Sequence, residues 1–118
     1  MAARSFEDLE VWQLAHRWVV RTYSHTKLFP REELFGLTSQ LRRAAVSVPA
    51  NIAEGFGKRS KADKIRFYNI AQGSLNEARY YLILSQELGY GDTKELLDHQ
   101  DRIGRMLNAY ITSMSSEQ

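Results

Sequence analysis

The sequence predicts an all-α protein, an up-down-up-down four-helix bundle. Apolar residues recur at three- and four-residue spacing in four long stretches, no stretch alternates apolar and polar residues as a half-buried strand would, and glycine or proline marks the breaks. Short links between long helices favour antiparallel neighbours. At 118 residues the chain reads as one domain, 1–118, large enough for one core.

The first helix is expected over about 6–24. Leu9, Trp12, Ala15, Val19 and Tyr23 form one apolar line, and Val11, Leu14 and Trp18 a second beside it. Together the lines span about 200° of the circumference, twice the stripe that a helix facing one core requires. A turn through His25, Lys27 and Phe29 follows. Pro30 suits the first position of a short helical piece, with Glu32 and Glu33 near its positive end, before a break at Gly36.

That piece and the second helix fill about 31–57. Leu41, Ala44, Ala45, Val48, Ile52, Ala53 and Phe56 share one face, Thr38 or Ser39 can cap the start, and Gly55 and Gly57 can end it in the left-handed conformation. Pro49 sits inside this pattern, removing one amide donor and crowding the Ala45 carbonyl at a cost of about 3 kcal/mol in a plain helix. The apolar register stays in phase across it, which predicts a continuous helix kinked at Pro49 in preference to two helices. Gln40 and Asn51 are read as structural, bonding the carbonyl freed by Pro49 or reaching across a subunit seam.

Ser60, with Asp63 three residues on, starts a third helix over about 60–88, before Gly89 and Gly91. Its apolar arc is wide too, with Tyr68, Ala71, Leu75, Ala78 and Leu82 on one line and Phe67, Ile70, Tyr81, Leu84 and Leu88 on another. The fourth helix, about 92–114, starts at Asp92 with Glu95 as its box partner. It has only a narrow stripe of Leu96, Ile103, Leu107, Tyr110 and Met114, and the tail from Ser115 to Gln118 is expected to fray.

Two helices with more apolar surface than one core absorbs point to self-association, with Trp18, Phe67, Ile70, Tyr81 and Leu84 as the interface. The competing expectation is that the bundle buries both lines by itself, leaving Trp18 or Tyr81 at its margins.

The chain has no cysteine, which excludes disulfides, thiolate metal sites and a cysteine nucleophile. Its start, MAARSFEDLE, has no apolar run of signal-peptide length, so a cytoplasmic protein is expected. Net charge is only +2, but residues 42–66 carry seven basic side chains (Arg42, Arg43, Lys58, Arg59, Lys61, Lys64, Arg66) against two acids. Residues 87–101 reverse this, with Glu87, Asp92, Glu95, Asp98 and Asp101 against Lys94. The basic run could meet phosphates of RNA or DNA with side-chain cations and free helix-end amides together. Two other readings stand beside that one: the cations are solvated charges, with Arg42 or Arg43 pairing to Glu54 or to a neighbouring subunit's acids, or the acidic stretch docks on the basic run of the next subunit.

No catalytic constellation is visible. GFGKRS, Gly55–Ser60, lacks the four-residue gap and preceding strand of a phosphate loop, and Gly73 and Ser74 form no nucleophile elbow. The histidines are isolated, His99 being read as a surface residue, and no Glu-x-x-His pairs build a di-metal site. Trp12, Trp18, Tyr80 and Tyr81 could stack on bases, but their helical spacing fits core or interface. No residue set calls for a cofactor or a metal.

The segments LEVWQLAHRWVVRTY, FPREELFGLTSQLRRAAVSVPANIAEGFGKRS and FYNIAQGSLNEARYYLILSQELGY, which span most of the chain, resemble the bacterial four-helix bundle proteins encoded in intervening sequences of 23S ribosomal RNA genes. The resemblance implies a ring-like homopentamer without an established enzymatic activity. The architecture is also similar to that of the accessory variability determinant proteins of diversity-generating retroelements, basic pentamers that bind a reverse transcriptase and nucleic acid. The chain departs from their strong overall basicity. The function expected is a non-enzymatic scaffold binding structured RNA or DNA through residues 42–66. The alternative is a protein-interaction adaptor, such as an accessory subunit of a reverse transcriptase, without direct nucleic-acid binding.

Overall fold

The computed structural model describes residues 2–116. Four helices account for most of them: α1 Glu10–Thr26, α2 Leu37–Phe56, α3 Lys61–Glu87 and α4 Lys94–Ser116, with short 3-10 turns at Phe6–Asp8 and Arg31–Glu33. There is no strand among the described residues. Contacts run from α1 to α2, α2 to α3, α3 to α4 and α4 back to α1, with none across the diagonals. One core takes side chains from all four helices, and Trp18, Leu41, Ile52, Leu82, Ile103 and Leu107 are among those wholly enclosed.

The helix ends explain where the boundaries differ from expectation. Ser5 and Asp8 close a capping box around the first 3-10 turn, and Leu9 is extended (φ −74°, ψ 125°), so α1 starts at Glu10 rather than Phe6. Helix α2 is capped by neither Thr38, which is buried, nor Ser39. Gly36 occupies the cap position, and the Glu33 carboxylate, delivered by the preceding 3-10 turn, accepts from the Leu37 amide at 3.3 Å. The other end of α2 is a second correction. Gly57 is in the right-handed region (φ −77°) and Gly55 lies inside the helix. The Lys64 ammonium donates to the carbonyl oxygens of Phe56 (2.6 Å) and Gly55 (3.4 Å), so a charged side chain satisfies the last turn and no left-handed residue is required.

Gly55 instead permits close packing. A Cβ there would come 2.7 Å from Tyr68 Cε1 and 3.1 Å from Phe67 Cβ, so α2 and α3 meet at a backbone without a side chain. Helix α2 runs unbroken through Pro49, and its continuity agrees with the in-phase register on both sides. Asn51 does not reach the Ala45 carbonyl. Its Nδ2 donates to the Ser47 carbonyl (2.8 Å) and hydroxyl (2.9 Å).

Ser60 caps α3 as expected, its Oγ accepting from the Asp63 amide at 3.1 Å. The helix closes with paired bonds from Gly89 N to Gln86 O and Tyr90 N to Ser85 O, around Gly89 at φ +82°. Gln86 then holds the start of α4, accepting from the Thr93 amide and hydroxyl, while Asp92 accepts from the Lys94 amide. Glu95 makes no return bond of a capping box and turns to Arg21 on α1. Of the tail expected to fray, Ser115 and Ser116 are helical, and 117 and 118 lie outside the described residues.

The wide apolar arcs divide unevenly. On α1 the core line is Val11, Leu14, Ala15 and Trp18, continued by Thr22, whose hydroxyl donates to the Trp18 carbonyl and so enters the core satisfied. Trp18 is 0% exposed and offers no surface to another copy, so it leaves the expected interface set. On α3 the first line is buried as read, whereas Phe67, Tyr81 and Leu84 are half-buried and Ile70 and Leu88 are exposed.

Candidate nucleic-acid interface

The seven basic residues close in sequence do not form one patch. Arg42 and Arg43 sit in the first half of α2, and the 13 residue steps from Arg43 to Phe56 span about 20 Å of helix. Lys58, Arg59, Lys61, Lys64 and Arg66 gather where α2 ends and α3 begins. Their closeness in sequence was legible, but distance along α2 separates what that closeness suggested.

Several of these cations have internal duties. Arg42 Nε donates to Thr26 Oγ1 at 2.8 Å, and its guanidinium lies 4.7 Å from the Tyr23 ring centroid, tying α2 to α1. Lys64 caps α2 as described. Lys58 pairs with Glu54 (3.7 Å), so the expected pairing of Glu54 with Arg42 or Arg43 is not made. Lys58 and Arg66 place their cations 4.9 and 5.1 Å from the half-buried Phe67 ring, and Arg59, next to Lys58 in the chain, is exposed. Lys61 is exposed in the first turn of α3, where the helix dipole also favours an anion. This end of the molecule is chemically suited to phosphate.

Arg43 belongs to a different feature, an open groove of about 470 Å³ between α2 and α3. Its floor is the Ser74–Ser47 hydroxyl hydrogen bond (2.8 Å), and Gln40 and Glu77 line it. The Tyr81 hydroxyl donates to Glu77 Oε2 at 2.7 Å and lies 2.9 Å from the Gln40 carboxamide oxygen. The Glu77 carboxylate, by accepting that hydrogen bond, holds the phenol proton and raises the Tyr81 pKa. Beside the groove Phe35 is 93% exposed, and Ile70 and Tyr80 are exposed on α3.

The acidic stretch is largely engaged within the chain itself. Glu95 pairs with Arg21 (3.0 Å), Asp101 with Arg79 (2.8 Å) and Asp98 with Lys94 (3.9 Å), while Asp92 caps α4. His99 is no isolated surface residue. Its Nε2 lies 3.1 Å from the Leu14 carbonyl and its Nδ1 3.1 Å from Arg21, so it ties α4 to α1. Sequence reasoning missed this link because Arg21 and His99 stand 78 positions apart, and only the packing of α1 on α4 joins them.

The described residues thus define a class: a four-helix protein with charged ends and grooves, in which no cluster of three or more His, Asp or Glu residues could hold a metal. None of its helices is long and apolar enough to cross a membrane. The chain belongs to the 23S rRNA-intervening sequence protein family, whose model matches residues 7–109. It is similar to a protein of unknown function from the S23 ribosomal protein family of Bacteroides thetaiotaomicron, solved as a crystal structure. Identity is 28% over 86% of this chain and 97% of that one, with a TM-score of 0.80. No curated protein matches the chain.

Proposed function

We propose that this protein is a non-enzymatic homo-oligomeric scaffold, an up-down-up-down bundle assembled as a pentamer, that holds structured RNA or DNA. The supporting observation is the division of its surface into two unlike regions. The α2/α3 face carries Phe35, Ile70 and Tyr80 exposed around a groove, which suits a second copy of the chain. The junction of α2 and α3 carries Lys58 and Arg66 beside Phe67, with Arg59 and Lys61 exposed nearby in the chain, which suits phosphate and a stacked base. A ring repeats each weak phosphate site, and linked weak sites act through effective concentration.

Light scattering and retention of ribosomal RNA across a salt series test both halves. Assembly through an apolar seam survives added salt, while phosphate contacts weaken steeply. Lys58, Arg59 and Arg66 changed to Glu should abolish retention and leave the assembly size unchanged. Absence of retention at low salt rejects the nucleic-acid half, and a monomer in dilute solution rejects the scaffold. The internal engagement of Arg42 and Lys64 favours a second reading, an adaptor for a protein partner such as a reverse transcriptase. A gene placed beside a reverse transcriptase instead of inside a ribosomal RNA gene supports that adaptor.

A further inference from the structure

On the opposite side of the molecule, α1 and α4 flank an open groove of about 550 Å³ lined by Leu14, three arginines (Arg17, Arg21, Arg102), two carboxylates (Glu95, Asp98) and His99. Arg21 is engaged by Glu95, and Asp98 by Lys94. Arg17 and Arg102 have no ion-pair or hydrogen-bond partner among the described residues and point their charge into the same groove from facing helices.

His99, at the floor, has a fixed tautomer. The Leu14 carbonyl can only accept, so Nε2 carries the proton and Nδ1 accepts from Arg21. Burial lowers its pKa first, and the nearby positive charges of Arg21, Arg102 and Arg17 lower it further against the opposing Leu14 bond. Three guanidinium groups therefore act on one half-buried imidazole, and the two carboxylates of the lining are already engaged, Glu95 by Arg21 and Asp98 by Lys94, which leaves Arg17 and Arg102 unneutralised. Such a concentration of positive charge, facing water in a concave site, favours an incoming anion.

We propose that the α1/α4 groove is a phosphate-binding site, in which Arg17 and Arg102 grip the phosphate group from the two helices and Arg21 orients the floor through His99. The planar fork of arginine matches phosphate oxygens in pairs, which lysine at these positions would not do. The site lies on different helices from the basic junction of α2 and α3 and does not depend on the scaffold reading.

The test follows the His99 ring resonances by NMR during titration with inorganic phosphate in chloride buffer at constant ionic strength, and in parallel with a short oligoribonucleotide. Saturable shifts with either ligand, weakened roughly tenfold or more by Arg17→Gln together with Arg102→Gln, are expected. A response to inorganic phosphate identifies a free phosphate as sufficient. A response to the oligonucleotide alone identifies the phosphodiester as the source. Bound phosphate should also raise the His99 pKa, because it offsets Arg17, Arg21 and Arg102 while Glu95 and Asp98 stay in place. No shift with either ligand overturns the proposal, as does a shift that survives the double substitution. Both changed arginines are exposed, and an unchanged thermal transition verifies that the fold is intact.

Discussion

Replacing Gly55 with alanine tests whether a missing side chain sets the distance between α2 and α3. The new methyl would come 2.7 and 3.0 Å from the Tyr68 ring and 3.1 Å from Phe67 Cβ. Tyr68 is 5% exposed and Phe67 Cβ is fixed to the α3 backbone, so neither neighbour yields freely. Overpacking of this kind costs about 1–3 kcal/mol. Alanine recovers up to about 1 kcal/mol of helix propensity, and less than that here because Gly55 is the penultimate residue of α2. The net loss is about 1–2 kcal/mol, or a fall in melting temperature of about 3–10 °C for a chain of this size. Thermal and urea unfolding at fixed protein concentration measure it. Gly73→Ala is the control, because a Cβ there meets nothing within 4 Å, and it should stabilise the fold by about 0.5–1 kcal/mol. If Gly55→Ala raises stability as Gly73→Ala does, glycine is not what brings the two helices together.

Lys64→Gln should destabilise by about 1 kcal/mol in urea unfolding, since it removes a charge-assisted cap from the last carbonyls of α2. His25 and His99 both have pKa values lowered from 6.5, in each case first by burial, and for His25 against the raising effect of Asp92. The unfolded chain then binds protons that the folded chain refuses. Stability should be full above about pH 6.5 and decline as pH falls through the lowered folded values, a slope that urea midpoints across pH 7 to 5 will register and that His99→Gln should reduce. Pro49→Ala restores an amide donor toward Ala45 and removes a buried ring, so it should change the direction of α2 and with it assembly size or melting. Unchanged light scattering and unchanged melting remove the proposed kink.

The helices were legible because three- and four-residue periodicity survives whatever surrounds it: the buried residues Tyr68, Ala71, Leu75, Ala78 and Leu82 are the line read on α3. The ends of α2 were not, because its caps come from other elements. Glu33 and Lys64 do the work assigned to Thr38 and Gly57, and nothing local to a helix end announces a partner from the preceding turn or the following helix. Arg17, Arg21 and Arg102 escaped notice for the same reason. Each reads as an ordinary exposed charge until α1 is known to lie on α4. Conversely, the basic run looked denser in sequence than it is in space, because α2 carries Arg42 and Arg43 away from Lys58.

The two indoles of α1 live in opposite surroundings, although six positions separate them. Trp18 is sealed in hydrocarbon, and its Nε1 proton has no acceptor. Trp12 lies flat on the His16 imidazole, with centroids 5.0 Å apart and planes 3° from parallel. Fluorescence should therefore report two events in separate colours. Short-wavelength emission from Trp18 follows the melting of the interior, and the longer-wavelength emission of Trp12 follows the opening of its stack on His16.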